Sequence, residues 1–80
     1  MKYTVVWLPA AERELARLFN DAVDRHALTS AANELDRVLK RLPEYVGESR
    51  YDDLRISFEK PLAMLFRVFE ADQRVEVIHV

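Results

Sequence analysis

Hydrophobic residues along the chain follow two different spacings, which divides it into helices and strands. β-Branched and aromatic side chains fill residues 3–8 up to Pro9, and this pattern predicts a strand. A first helix is predicted beyond Pro9 because apolar residues recur every three or four positions. They are Ala11, Leu15, Leu18, Phe19 and Ala22. Proline suits a first helical turn, and Glu12 and Glu14 there favour the N-terminal end of the helix dipole.

A second helix is predicted after the apolar stripe breaks at residues 27–30. Thr29 or Ser30 supplies a hydroxyl that would cap its first turn. Its inward-facing residues are again spaced for a helix: Ala31, Leu35, Val38, Leu39 and Leu42. Pro43 ends this helix, since proline lacks the backbone N–H that would continue it. Gly47 is the only glycine in the chain and predicts a turn with positive φ.

The remainder of the chain has the patterns of three strands. The first alternates apolar with polar residues, and its apolar side is expected to pack while its polar side faces solvent. Its residues are Leu54, Arg55, Ile56, Ser57, Phe58 and Glu59. Residues 62–69 are more continuously apolar, with Arg67 as the one charge, which predicts a central strand. A polar loop of hairpin length over residues 70–73 leads to the last strand, residues 75–80.

The predicted order is strand, helix, helix, strand, strand, strand, in a single domain over residues 1–80. This order indicates an α+β fold with both helices on one face of a small, largely antiparallel, four-stranded sheet. The other face is expected to stay open. Arg55, Ser57 and either Arg67 or its alternating neighbours are predicted to lie on that open face.

The size and composition of the chain limit the chemistry it can hold. A domain of 80 residues buries only about 60 to 65% of its unfolded surface, so it has one modest core and no deep cleft between lobes. The absence of cysteine excludes disulfides and thiolate metal sites. No apolar run reaches the length of a leader or a membrane span. We therefore expect a cytoplasmic protein without a membrane partner.

Catalytic and cofactor motifs are missing from the sequence. It contains no GxGxxG, P-loop, HExxH or GxSxG pattern, so no cofactor and no metal are expected. His26 near a helix end is predicted to interact with the helix dipole. His79 in the last strand could serve as an acid or base on the open face, although an ordinary edge residue is the more common interpretation. Asp52 and Asp53 are predicted to be solvated turn residues.

Four arginines occur in or beside the predicted strands: Arg50, Arg55, Arg67 and Arg74. Together they could form one surface that binds phosphate or a partner through bidentate contacts. Alternatively each pairs with a nearby acid, such as Arg55 with Glu59 or Arg74 with Asp72. Residues 43–80 contain five basic and eight acidic residues, a net charge of −3. Because phosphate neutralisation supplies most of the affinity for nucleic acids, this balance favours a protein partner.

These landmarks resemble the RelE/ParE superfamily, the toxins of bacterial type II toxin–antitoxin modules that are often labelled plasmid-stabilisation proteins. The resemblance spans nearly the whole chain and rests on short groups of residues in a fixed order. The groups are Val5-Val6-Trp7, Pro9-Ala10-Ala11-Glu12, Leu15, Ala32, Leu35, Leu39, Pro43, Gly47-Glu48-Ser49-Arg50, Leu54-Arg55-Ile56, Pro61-Leu62, Phe66-Arg67-Val68 and Arg74-Val75-Glu76-Val77.

The resemblance implies the fold predicted above and two alternative activities. RelE-like members cut mRNA in the ribosomal A site with basic residues on the sheet plus Arg and Tyr after the last strand, whereas ParE-like members lack that set and poison DNA gyrase by binding. Only Arg55 falls near a basic position of the family on the sheet. Ser57 and Ala63 stand where further basic residues would be, and the sequence ends at Val80. A binding toxin, or a member that has lost toxicity, is therefore expected.

Three hypotheses follow from the resemblance. The first is a toxin-like binding domain held inactive by a cognate antitoxin, with Arg50, Arg55, Arg67 and Arg74 as partner-binding residues and DNA gyrase or the ribosome as target. The second is a ribosome-dependent mRNA endonuclease that uses Arg50, Arg55 and Arg67. The third is a protein-interaction module without toxicity. The sequence leaves the target and the oligomeric state, including a homodimer, open.

Overall fold

The computed structural model describes residues 2–41, 43–51 and 54–80, with the backbone alone for residues 44 and 51. Its elements follow the predicted order with one strand added. They are β1 (Thr4–Trp7), α1 (Pro9–Asp21), α2 (Arg25–Arg41), a 3-10 turn (Pro43–Tyr45), β2 (Glu48–Tyr51), β3 (Leu54–Glu59), β4 (Leu62–Phe69) and β5 (Arg74–His79). Within the described ranges, neither helix is long and apolar enough to cross a membrane.

One sheet contains all of the described strands, in the order β1-β5-β4-β3-β2. β1 pairs with β5 in parallel, and the other neighbours are antiparallel. The α+β class and the central place of β4 are confirmed, but the sheet has five strands where the sequence predicted four. The missing strand was β2, whose Glu48, Ser49 and Arg50 show no apolar alternation. β2 is ordered by its pairing with β3 at the sheet edge.

The start of α2 lies earlier than predicted. Asp24 caps the helix, because its side-chain Oδ1 accepts a hydrogen bond from the N–H of Ala27 at 3.0 Å. The backbone carbonyl of Asp24 accepts another from Leu28 at 3.3 Å. The predicted cap at Thr29 or Ser30 is wrong, since both residues lie inside the helix. The first N–H groups of a helix have no partner within the helix, and a carboxylate three residues earlier in the chain can accept one of them. Asp24 does so for Ala27, so α2 needs no hydroxyl cap.

The segment after α2 keeps the two predicted breaking residues. Pro43 is buried and begins the 3-10 turn. Gly47 has a φ of 70°, which confirms the predicted turn. The prediction that Leu42 faces inward and the prediction of a solvated turn at Asp52 and Asp53 lie outside the described residues.

The core lies between the helices and one face of the sheet, which we call the covered face. The alternate residues of β4 are buried there, and the adjacent β5 adds two more. These side chains are Leu62, Met64, Phe66, Val68, Val75 and Val77. α2 packs against them with Leu28, Ala31, Leu35 and Leu39, and α1 with Ala11. Both helices thus lie on the same side of the sheet, as the apolar stripes predicted.

Candidate functional site

The face of the sheet opposite the helices is the open face. Directly paired residues on neighbouring strands point to the same face of the sheet. Residues that pair with the buried β4 residues therefore lie on the covered face, and residues that pair with the β4 residues between them lie on the open face. The described residues assigned to the open face in this way are Thr4, Val6, Glu48, Leu54, Ile56, Phe58, Ala63, Leu65, Arg67, Phe69, Arg74, Glu76 and His79.

The two faces of β3 are the reverse of the prediction. Arg55 lies opposite Phe66 and Ser57 opposite Met64, and both of these partners are fully buried in the core. Arg55 and Ser57 therefore belong to the covered face, and the prediction that they lie on the open face is wrong. Alternation along one strand shows which residues share a face, but the pairing with β4 decides which face packs against the helices.

Arg55 can occupy the covered face because backbone carbonyls satisfy its guanidinium. Its Nε donates to the carbonyl oxygen of Val46 at 2.9 Å, and its Nη2 donates to that of Gly47 at 3.0 Å. The ion pair with Glu59 is not formed among the described residues. Both acceptors lie just ahead of β2, so the side chain connects the third strand to the start of the second.

Arg67 occupies the middle of the open face. It lies on the central strand, opposite Leu54 of β3 and Glu76 of β5. The side chain is half-buried among these strands. Its place at the centre of the uncovered surface agrees with the prediction that Arg67 or its neighbours would lie there.

Arg74 and Arg50 lie toward the margins of the open face, each close to a carboxylate. The Nε of Arg74 is 3.3 Å from Oε2 of Glu76, and its Nη1 is 3.5 Å from Oδ2 of Asp72. Its guanidinium also lies over the ring of Phe69, 4.6 Å from the centroid. These contacts confirm the alternative in which Arg74 pairs with Asp72.

Arg50 has a looser arrangement on the edge strand β2. Its Nη1 is 3.9 Å from Oε2 of Glu48, and both side chains are exposed. Exposed pairs of this kind contribute about 0 to 1 kcal/mol, so the guanidinium can be recruited by a partner at little cost. Pairs of opposite charge therefore occur on both sides of the central strand, on β2 and on β5.

One end of the open face is apolar. Ile56 pairs with Leu65, and Phe58 pairs with Ala63. The side chain of Phe58 is 62% exposed. We call Ile56, Phe58, Ala63 and Leu65 the apolar patch. An exposed aromatic ring among aliphatic neighbours, beside charged pairs, is typical of a protein-binding surface.

The two histidines lie on different elements, His79 at the end of β5 opposite Leu65 and His26 on α2. His79 is exposed. The pKa of Glu14 on α1 is lowered, mainly by the hydrogen bond from Arg17 and to a smaller extent by His79. His26 lies in the first turn of α2, where the dipole disfavours a positive charge, so the predicted favourable interaction is wrong. Among the described residues no group of acids and histidines could hold a metal ion.

The sequence did not predict a groove on the helix side of the molecule. It has a volume of about 600 Å³ and lies between the α1–α2 connection and the β3–β4 turn. Leu18, Ala22, Leu28 and Leu62 are among its apolar lining residues, and Val23 beside them is fully exposed. The available signal was Val23 itself, an aliphatic residue in a polar connection between two helices.

Comparison with known proteins identifies the fold. No family model and no curated protein sequence matches the chain. Among solved structures, a chain of the RelBE2 toxin–antitoxin complex from Mycobacterium tuberculosis superimposes with a TM-score of 0.80 at 18% identity, over 99% of this chain and 95% of that one. A chain of the chromosomal ParDE toxin–antitoxin system from P. aeruginosa gives 0.65 at 16% identity, over 98% and 92%.

A third similar structure is the conserved hypothetical protein HP0892 from Helicobacter pylori. Its TM-score is 0.60 at 17% identity, over 96% of this chain and 90% of that one. The chain therefore has the RelE/ParE-like fold that the sequence predicted. At these identities the similarity establishes the fold alone.

Proposed function

We propose that the chain is a toxin component of a type II toxin–antitoxin module that acts in the cytoplasm by binding, and that a cognate antitoxin holds it inactive. The observation that carries this proposal is the composition of the open face. An apolar patch with an exposed phenylalanine adjoins arginines that pair with carboxylates. Such a surface suits a protein segment that carries apolar and charged side chains. The similar folds in the RelBE2 and ParDE toxin–antitoxin complexes support an antitoxin as that partner.

The same surface is poorly suited to cleaving RNA. Phosphate cleavage needs donors that are available for the charge that develops on the phosphate oxygens. Arg74 is engaged by two carboxylates and a ring, and Arg55 lies on the covered face. Among the described residues assigned to the open face there is no lysine that could act as general acid or base, and the one histidine, His79, lies opposite Leu65 of the apolar patch.

A ribosome-dependent mRNA endonuclease is the second candidate function. The observation in its favour is Arg67, which stands at the centre of the open face on the most buried strand of the sheet. In that case Arg67 and Arg50 would be the catalytic candidates on this surface. DNA gyrase is the corresponding target for a binding toxin. An interaction module without toxicity would use the same apolar patch, and a homodimer would bury it against a second copy.

Thermal melting with and without the product of the adjacent gene tests the proposed partner. Anything that binds only the folded state stabilises it, by about 2.7 kcal/mol when the free ligand is at 100 times its Kd. We expect the melting temperature to rise with partner concentration. The rise should be reduced in Phe58→Ala and Arg67→Ala, which remove open-face contacts, and unchanged in Arg13→Ala on the exposed side of α1. An unchanged melting temperature at saturating partner contradicts the proposal.

A further inference from the structure

Residues 46–51 comprise β2 and the two residues ahead of it, of which Val46 packs partly buried against the core. β2 is an edge strand, so it has β3 as its one neighbour in the sheet. It is four residues long, and its register with β3 shifts between Ser49 and Tyr51. A short edge strand with an irregular register has little backbone pairing to hold it in place. Something else must fix where β2 begins.

The guanidinium of Arg55 supplies that fixation. It donates to the carbonyl oxygens of Val46 and Gly47, two consecutive residues immediately ahead of β2. A planar guanidinium presents several donors in a rigid fork, so two bonds to successive carbonyls set the direction of the chain as well as its distance. Arg55 also pairs directly with Ser49 across the two strands. The side chain and the backbone of Arg55 therefore hold the same short segment at two places.

Gly47 shows how closely the segment is held against β3. A Cβ atom added at this position would lie 2.0 Å from the carbonyl oxygen of Ile56 and 2.9 Å from Cα of Ser57. Its φ of 70° is also a conformation that glycine adopts without strain. The carbonyl of Gly47 also lies within hydrogen-bonding distance of Arg55. The absence of a side chain at Gly47 and the guanidinium of Arg55 therefore both favour close contact between this segment and β3.

We propose that Arg55 is a positioning residue, which holds β2 and with it Arg50 and Glu48 at the margin of the open face, and that it is not itself a contact for the partner. Its guanidinium is turned to the helix side of the sheet and is occupied by two carbonyls, whereas Arg50 and Glu48 on β2 are exposed. The consequence for partner binding rests on the function proposed above. The position of β2 can be measured in the free chain and does not depend on it.

Hydrogen exchange followed by mass spectrometry tests this role with Arg55→Lys, which keeps the charge and loses the fork. Hydrogen bonds to charged groups are among the stronger ones, and lysine can replace at most one of the two. We expect exchange in residues 46–51 to become about tenfold faster, while exchange in β4 and β5 stays within about twofold. Arg13→Lys, an exposed position on α1, is the matched control and should change neither region. Gly47→Ala should also accelerate exchange in residues 46–51, through the clash with Ile56.

The NMR signal of the Arg55 side chain gives a second measurement, on the unmodified protein. The Nε–H that donates to Val46 should exchange with water more slowly than those of Arg13 and Arg41, which are exposed. In Arg55→Lys the amide signals of Ser49 and Arg50 should shift, and the signals of β4 and β5 should not. Unchanged exchange in residues 46–51, or equal acceleration over the whole chain, overturns the positioning role. An Arg55 Nε–H that exchanges as fast as that of Arg13 overturns it as well.

Binding to the adjacent-gene product separates this inference from the proposed function. If both hold, Arg55→Lys and Arg50→Ala weaken binding by less in combination than the product of their separate effects, because both act through β2. If exchange changes as expected but no partner binds, the positioning role stands and the proposed function fails. If the partner binds and the double variant loses affinity by the full product of the two single losses, Arg55 acts as a contact and the positioning role fails.

Discussion

The covered and open faces of the same sheet differ in almost every property that decides stability or recognition. On the covered face Met64, Phe66, Val75 and Val77 are fully excluded from solvent. On the open face Phe58 is 62% exposed, and charged side chains lie in pairs of opposite sign. One face of this small sheet thus supplies the core, while the other keeps apolar and charged groups available. Stability and recognition are therefore separable by mutation.

Truncating one phenylalanine on each face should give the largest difference in stability. Phe66→Ala should cost roughly 3 to 5 kcal/mol, because it leaves a cavity in the core. Leu35→Ala on α2 should cost roughly 2 to 5 kcal/mol for the same reason. Phe58→Ala should cost less than about 1 kcal/mol, since most of its ring is already in water. Urea denaturation of the three variants measures these differences.

Equal stability losses on the two faces would contradict the difference between them. Equal losses for Phe58→Ala and Phe66→Ala would mean that both faces are packed in solution, for example against a second copy of the chain. A concentration-dependent midpoint for the wild type and for Phe66→Ala, lost in Phe58→Ala, would identify that copy as a homodimer through the apolar patch.

The covered face was predictable because its signals repeat. Two helical stripes and the alternation of β4 all place large apolar residues on one side, and the structure confirms the resulting α+β architecture. β2 was missed because strand pairing, and no local pattern, orders Glu48, Ser49 and Arg50. The number of strands therefore depended on a tertiary contact that the sequence does not display.

A smaller effect concerns the helices that create the covered face. Asp24→Ala removes the side chain that accepts the Ala27 N–H and should cost about 0.5 to 2 kcal/mol. Thr29→Ala, at the position where the sequence predicted the cap, should change stability by less than about 0.5 kcal/mol. Thermal melts of both variants measure the contrast. A larger loss for Thr29→Ala than for Asp24→Ala would indicate that α2 begins at Thr29, as the sequence predicted.

The smallest effect is the pH dependence that arises from ion pairs on the outer surface of the helices. Hydrogen bonds from Arg17 and Arg37 lower the pKa of Glu14 and of Glu34. A carboxyl with a lowered folded-state pKa stabilises the fold above its unfolded pKa of about 4.3, and that contribution is lost as the pH falls through the folded value. In Glu14→Gln and Glu34→Gln the loss of stability on acidification below about pH 4.3 should be shallower. Denaturation midpoints between neutral and acid pH measure it, and an unchanged slope in both variants argues against these pairs.

The candidate site was only partly predictable. Arg67 and Arg74 lie on the open face, in or beside strands that the sequence predicted, whereas Arg50 lies on β2, which the sequence did not predict. Arg55 was misplaced because its alternation with Ile56 favours an outward guanidinium, and the two backbone carbonyls that draw it to the covered face are not visible in the sequence. Asp72 was named from the sequence as a partner of Arg74, whereas Glu76 and the ring of Phe69 were not.

Primer extension on translated mRNA after induction of the chain tests the central claim most directly. In the proposed function the open face binds a protein and does not stabilise the charge that develops during phosphate cleavage. We therefore predict no cuts that depend on the ribosome for the wild type, for Arg67→Ala or for Arg50→Ala, together with weaker partner binding by the two variants. Cuts phased with codons that disappear in Arg67→Ala, a loss of the order of 10²- to 10³-fold in rate, would contradict the account and identify the open face as a nuclease site.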